Sequence, residues 1–481
     1  MLRAGAAMGA SAALGLGALA SGRGTQPETA GARAPMGRAR NVIFMVADGM
    51  SMGTLTLADM RVRRAQGRSS WWMGLWGRPG VRRTMARTHA LDSLVTDSAA
   101  AGSAWGSGLH INNGSVNVMP DGKQLLPILV HARQAGKATG VVTTARITHA
   151  TPASFYANSP RRDYEGMIGA QLLERAIDVA LGGGAKFLPA SETDKHPDVR
   201  IVRTAAELRA AGVAGEKGRL VGVFDHGHVP FVLDRDGTIP GLVEMTRVAL
   251  ARLETKPEGF VLQVEGGRVD HAAHNNDAGS LVREMGEFDD AIGAVLEWMG
   301  KAGGRDDTLL ILTSDHGNAN PGLTLYGEGG NAGFARLENV RKSFDWIDAQ
   351  MHGFKSAAAR VVKMAEAVKT ASGYELTAGD RKLLEECVQD QRVMAFVEAN
   401  KWTSVLGAIL ADHFGVAFAS PNHTSDYVEV TAMGPGSERI GGVIDNVELH
   451  GVMVAAMGFG AGAMLPGMEE AMPMPKPIKP D

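Results

Sequence analysis

Asn41–Ala47 reads NVIFMVA and runs directly into Asp48-Gly49. A continuous apolar run closed by a turn signal describes a strand buried on both faces. Strands of that kind belong to parallel sheets covered by helices on either side. The pattern returns at Ala138–Thr144 (ATGVVTT), Arg219–Phe224, Gly259–Val264 (GFVLQV) and Thr308–Thr313 (TLLILT). Between these runs the apolar residues take helical spacing over Gly166–Leu181, Leu242–Leu253 and Leu281–Met299. The alternation predicts a three-layer α/β fold, with a mostly parallel central sheet flanked by helices. In open sheets of this type, ligands bind beyond the carboxyl ends of the strands. Asp48 stands at such an end.

The alternation breaks from about Lys342 to Phe418, where the pattern is helical. Thr377 is expected to cap a helix running through RKLLEECVQDQRVMAFVEA, and SVLGAILADHF reads as another. This region (342–418) is expected to be a helical insertion near the C-terminal third of one catalytic domain, residues 40–463. Ahead of that domain, Arg3 is followed by AGAAMGASAALGLGALA, which ends in Ala18-Leu19-Ala20. A short uncharged run before a small-x-small pattern predicts a signal peptide over residues 1–20, then a polar linker over 21–39. The run is too short and too weakly apolar for a membrane span. A periplasmic or secreted protein is therefore expected, with no membrane span in the mature chain. Residues 464–481, rich in Pro and Met, read as a loose tail.

The 481 residues carry a net charge of -3 and are 44% hydrophobic. No basic stripe is visible, which argues against nucleic acid as a partner. Cys387 is the single cysteine, so an intrachain disulfide is impossible and a cysteine-built metal site is not expected. Any metal must be held by His, Asp and Glu, ligands that suit zinc and magnesium.

Several polar groups follow strand ends. Asp48-Gly49 alone marks no more than a turn. Ser98, in Thr96-Asp97-Ser98-Ala99-Ala100-Ala101-Gly102-Ser103, sits at a helix start. There it is either a cap or a group held beside N–H donors that favour a phosphate dianion. Glu265-Gly266-Gly267-Arg268-Val269-Asp270-His271-Ala272-Ala273-His274 follows an apolar run directly. On one helical turn, Asp270 and His274 point the same way and can share a metal. Ser314-Asp315-His316-Gly317 also follows a strand, and His423 lies in a loop-like Pro421-Asn422-His423-Thr424-Ser425.

Taken together, these segments resemble the alkaline phosphatase family from Asn41 to Met453, the helical region excepted. The family's nucleophile motif is similar to Asp97-Ser98-Ala99-Ala100. Its VEGGRIDHAxH segment is similar to Val264–His274, with one conservative change at Val269. TSDHG (Thr313–Gly317), GGGAKFL (Gly182–Leu188), HVPFVLDRD (His228–Asp236) and LVEMTRVAL (Leu242–Leu250) also look like family sequence. The resemblance implies a phosphate monoester hydrolase with two zinc ions and one magnesium ion per chain, acting through a phosphoserine at Ser98, and a homodimer. One zinc would be held by Asp270, His274 and His423, the other by Asp48, Asp315 and His316 with the Ser98 oxygen as a further ligand. Magnesium would take Asp48, Glu265 and Thr151. Arg162, next to Arg161, would grip phosphate, oriented by Asp97. His149 and His271 stand where the best-known bacterial form has an aspartate and a lysine. A neutral imidazole removes a negative ligand, so contact of His149 with magnesium is expected through water.

Three alternatives stand beside this reading. A sulfatase or a phosphodiesterase of the same superfamily would share the fold. Sulfatases need a C/S-x-P-x-R context, whereas Ser98 is followed by Ala-Ala-Ala. Such diesterases commonly use Thr and lack the third metal, whereas Glu265 and Thr151 are present. A non-catalytic metal- or phosphate-binding protein would be expected to lose the nucleophile or a ligand.

Overall fold

Strand β1 (Asn41–Ala47) is buried at every position, and its side chains divide by parity. Ile43, Met45 and Ala47 enter one hydrophobic core, whereas Val42, Phe44 and Val46 enter another. Successive strand residues point to opposite faces, so a run apolar throughout is a strand with helices on both sides. The computed structural model describes residues 38–212, 215–301, 306–459 and Met472. The expected signal peptide lies outside the described residues. So does the linker apart from residues 38–39, and the tail apart from Met472.

The central sheet has ten strands. After β1 come β2 (Arg82–Arg87), β3 (Ala138–Arg146), β4 (Val179–Gly183), β5 (Val199–Val202), β6 (Arg219–Val223), β7 (Phe260–Gly266), β8 (Thr308–Thr313), β9 (Val428–Met433) and β10 (Val443–Asp445). Their order is β10-β2-β9-β8-β1-β7-β3-β4-β6-β5. β9 runs antiparallel to both its neighbours, and the other pairings are parallel. The helices Met52–Gln66, Leu242–Leu253 and Ala278–Met299 supply one core. The helices Ser98–Ser107, Ala150–Tyr156, Glu165–Glu174 and Val447–Ala456 supply the other. This is the expected three-layer arrangement.

Register places the site. Val46 of β1 pairs with Glu265 of β7 and with Thr313 of β8. Asp48 and Asp315 therefore leave adjacent strands at the same level, with Glu265 two residues back on the other side. Three neighbouring parallel strands thus deliver carboxylates to one sheet edge, the edge where ligands bind in such folds.

Three expectations need correction. The helix expected through RKLLEECVQDQRVMAFVEA ends at Val388, shortly before Asp390 takes a left-handed φ of 59°. The helix expected over Gly166–Leu181 stops at Glu174, and Val179–Gly183 is a strand. Ala176 takes a left-handed φ of 54°, which breaks the helix before the apolar run resumes as β4. The helical region ends at Phe414, where Gly415 turns at φ 77°. Val416–Ala417 is then a short strand against Gly322–Leu323. Before that turn, helices cover Phe344–Met351, Ala357–Ser372, Ala378–Val388 and Trp402–Phe414. They share a core of their own that also takes Leu57, Ala278 and Val282 from the main body. Thr377 caps as expected, with a reciprocal bond to Asp380. Cys387 is buried in this layer.

Candidate active site

The Ser98–Ser107 helix begins beside the three carboxylate-bearing strands. Its N-cap is Asp97, whose carboxylate accepts from the Ala100 amide at 2.9 Å. The capping role open to Ser98 in the sequence is thus filled by its neighbour, and the Ser98 hydroxyl is left for other partners. Its Oγ lies 3.4 Å from His316 Nε2. Asp97 also accepts from the Gly114 amide at 3.0 Å and from Arg162 Nη1 at 2.9 Å. Arg162 Nη2 meets His149 Nε2 at 3.0 Å. Arg161 turns away and pairs with the exposed Asp163. The adjacent arginines are therefore distinguished: Arg162, not Arg161, lines the cleft with Ser98.

Around Ser98 the donors fall into three overlapping groups: Asp48, Asp315 and His316; Asp270, His316 and His423; and Asp48, His149 and Glu265. Within the first, His316 Nε2 is 3.2 Å from Asp315 Oδ2 and 3.8 Å from Asp48 Oδ1. In the second, Asp270 Oδ1 is 3.5 Å from His423 Nε2, and Asp270 Oδ2 is 3.3 Å from His274 Nε2. The i, i+4 spacing on the Arg268–His274 helix does bring Asp270 and His274 together. His274 and His423 face each other through their Nε2 atoms at 3.0 Å. Each donates its Nδ1 to a backbone carbonyl, that of Pro421 for His274 and that of Thr96 for His423. With Nδ1 so engaged, both rings turn Nε2 inward; burial lowers these imidazoles but Asp270 raises them more, His423 to about 9, so a metal bound there would take the place of a proton. Thr151 donates to Asp48 Oδ2 at 3.4 Å, beside the third group.

Two other histidines of the C-terminal third, His450 and His413, lie elsewhere. His450 donates to the Trp105 carbonyl at 2.8 Å, and His413 packs on Tyr374.

Electrostatics makes the cluster uncomfortable when it holds protein groups alone. Burial pushes the Asp48 carboxyl well above its usual range, and the charges of Asp315, Asp270 and Glu265 push it further. Glu265 is raised to about 7, mainly by burial; a hydrogen bond from Thr143 opposes the rise and Asp315 adds to it. Burial lowers the His316 imidazole to about 4. Asp48 Oδ1, His149 Nδ1, Glu265 Oε1, Asp315 Oδ2 and His316 Nδ1 are buried without a hydrogen-bond partner. Each such atom costs about 1–3 kcal/mol unless something satisfies it. Converging buried carboxylates and inward imidazoles with spare lone pairs fit divalent cations of the zinc and magnesium kind.

Four contributors escaped the sequence reading. Asn318 donates to Asp270 Oδ1 at 2.7 Å and orients it. Thr143, beside Glu265 in the β3–β7 register, donates to that carboxylate. Asn113 Oδ1 accepts from the Asp97 amide at 2.8 Å. His228 stacks edgewise on His271 at 4.3 Å between ring centres and lies 5.4 Å from His149. Three imidazoles therefore stand together, with Arg146 against His228 and Arg268 donating to His271 Nδ1 at 3.0 Å. Burial lowers all three histidines, which favours neutral rings. The signal for Asn318 was its place two residues after His316; His228 opens the family-like HVPFVLDRD segment, but nothing there tied its ring to the cleft.

The cleft, about 660 Å³, is lined by Ser98, Arg162, Asp270, His274 and His423 among others. A mostly parallel sheet thus presents a serine, an arginine and clustered metal-type donors in one cleft. Residues 39–459 match the alkaline phosphatase family model, and the chain belongs to that family. It is 29% identical over 423 residues to alkaline phosphatase 4 of Bacillus subtilis, covering 85% of this chain and 87% of that one. It is 33% identical over 333 residues to the repressible alkaline phosphatase of Saccharomyces cerevisiae, covering 60% and 57%. Among solved structures, the Thermus thermophilus alkaline phosphatase superposes with a TM-score of 0.80 at 32% identity, covering 90% of this chain and 94% of that one.

Proposed function

We propose that this chain hydrolyses phosphate monoesters to alcohol and inorganic phosphate through a phosphoserine at Ser98. The observation that carries the reading is the meeting, in one cleft, of the Ser98 hydroxyl, the Arg162 fork and the buried donor groups. One zinc ion would be held by Asp270, His274 and His423, and a second by Asp48, Asp315 and His316. Magnesium would be held by Asp48, Glu265 and Thr151, with His149 nearby. When bound, the ions supply positive charge that offsets the repulsion between a phosphate dianion and an incoming nucleophile.

The protein's own groups do the rest. Ser98 Oγ forms a bond to phosphorus as the ester P–O bond breaks, releasing the alcohol; water then cleaves the phosphoserine and restores the hydroxyl. Arg162 presents its guanidinium to the non-bridging oxygens, held in plane by Asp97 on one nitrogen and His149 on the other. Little covalent help is available to phosphoryl transfer, so positioning and charge dominate. Ser98 must lose its proton to attack, so the rate should rise toward alkaline pH. Export to the periplasm or medium and a homodimer belong to the same proposal. Export rests on the Arg3 and Ala/Gly-rich segment, and the homodimer on the family resemblance. Among the described residues no helix is long and apolar enough to cross a membrane.

The test is release of p-nitrophenol from its phosphate monoester, its phosphate diester and its sulfate, each with and without chelator. The proposal expects chelator-sensitive turnover of the monoester far above the other two. Preference for the diester or the sulfate would move the chain to another reaction of the superfamily. No turnover by metal-loaded protein would point to a non-catalytic binding role.

A further inference from the structure

Outside the cleft, one more set of metal-type donors converges: His89, His110 and Asp445. Their backbones are fixed independently. Asp445 ends β10 and pairs in register with Arg87 of β2, two residues before His89. The Asn446 amide donates to the Arg87 carbonyl at 3.1 Å, and the Leu91 amide donates to the Ile111 carbonyl at 2.9 Å. The second of these ties the His89 segment to the His110 segment. His110 itself follows the Ser98–Ser107 helix, just past its left-handed C-cap Gly108.

The side chains are not simply a satisfied ion pair. His110 Nε2 meets Asp445 Oδ1 at 2.8 Å. His89 Nδ1 stands 3.9 Å from Asp445 Oδ2, beyond hydrogen-bond range. The two imidazoles lie 4.1 Å apart between ring centres, tilted by 35°. One divalent ion placed among them can take both rings and the carboxylate together.

We propose that His89, His110 and Asp445 form a separate site for a divalent transition ion of the zinc class. Zinc bonds to nitrogen and oxygen of about 2.0–2.1 Å in a tetrahedron put neighbouring donors about 3.3 Å apart. The observed separations of 2.8 and 3.9 Å bracket that value. Those two separations need changes of about half an ångström, the donor atoms of all three residues lying within 4.8 Å of one another, with His110 exchanging its hydrogen bond for a bond to the ion. Two imidazoles and one carboxylate favour zinc, nickel or copper over magnesium or calcium. The His89 side chain is 40% exposed, which leaves a coordination position for water and makes the ion exchangeable. The site is distinct from the cleft: the ten-residue helix separating Ser98 from His110 spans about 15 Å.

The experiment compares full-length wild type with His89→Ala and His110→Gln, equilibrated in buffered low-micromolar free zinc. Zinc per chain is read by mass spectrometry of the metal. The proposal expects each variant to hold one zinc fewer than wild type, with unchanged monoester turnover and melting temperature in the absence of zinc. His89 is the most exposed of the three, so His89→Ala alone decides should His110→Gln fold poorly. Equal zinc content in wild type and His89→Ala would overturn the proposal. So would a crystal soaked in zinc that shows no anomalous peak between the three residues. Because the readout is metal content, it stands or falls separately from the phosphatase reading.

Discussion

Gly49 is the residue whose side chain, if it had one, would do the most damage to the site. It follows Asp48, adopts φ 66°, and donates its amide to Asp315 Oδ1 at 2.9 Å. A Cβ there would lie 2.4 Å from Asp270 Oδ1 and 2.9 Å from Asp270 Cα and Cβ. Carbon atoms rest comfortably at about 3.5–4.0 Å, so Asp270 would have to retreat by roughly an ångström. Gly49→Ala therefore combines a left-handed alanine, costing about 1–3 kcal/mol, with overpacking, costing about 1–3 kcal/mol. The displaced group is the carboxylate beside His274 and His423, and a misplacement of about 1 Å can cost about 100-fold in rate. The expected result is a loss of about 2–6 kcal/mol in stability, about 100-fold in kcat/KM, and weaker zinc retention. Gly67→Ala separates the two effects. Gly67 has a nearly identical φ of 67°, but a Cβ added there would meet nothing within 4 Å. That variant should lose only the backbone cost of about 1–3 kcal/mol and keep full activity. The assays are thermal melting, zinc content and monoester turnover on both variants. Wild-type kcat/KM in Gly49→Ala, with a melting temperature like that of Gly67→Ala, would refute the packing of the two strand ends described above.

Other outcomes follow from the same geometry. Ser98→Ala should cut monoester turnover by several orders of magnitude while leaving bound metal unchanged; near-full activity would remove Ser98 as nucleophile. His423→Ala should lose about one zinc per chain and most activity, because its Nε2 faces Asp270 and His274. His450→Ala should keep both, since His450 serves the Trp105 carbonyl; the reverse pattern would reassign the ligand. His149→Asp adds a carboxylate beside Asp48 and Glu265 and should lower the magnesium needed for half-activation by about tenfold. Identical magnesium titrations at fixed zinc for wild type and His149→Asp would place His149 outside the magnesium environment.

The strands legible in the sequence were those buried on both faces. NVIFMVA and TLLILT contain no polar alternation to confuse with a helix, and both form strands at the residues expected. β2, with the sequence RRTMAR, was not foreseen, because much of it is exposed and charged. β9 and β10 also escaped, since their place in the sheet depends on long-range pairing with β2 and β8. Gly166–Leu181 misled because the apolar residues of β4 continue the helical spacing of the preceding segment, and only the backbone turn at Ala176 separates them. The donor residues were legible because most follow a strand end directly. Their supporting partners were not: Asn318, Thr143 and His228 acquire their meaning only when separate strands and loops are brought together. Which of Arg161 and Arg162 faces the cleft likewise depends on contact with Asp97, which spacing alone does not encode.

The central claim is a covalent bond between phosphate and Ser98. Its most direct measurement is incubation of metal-loaded wild type with radioactive inorganic phosphate at low pH, followed by acid quenching, proteolysis and peptide mapping. The account predicts a single labelled peptide carrying phosphate on Ser98, and no label in Ser98→Ala. Label on a different residue, or none in a preparation that actively hydrolyses the monoester, would contradict it.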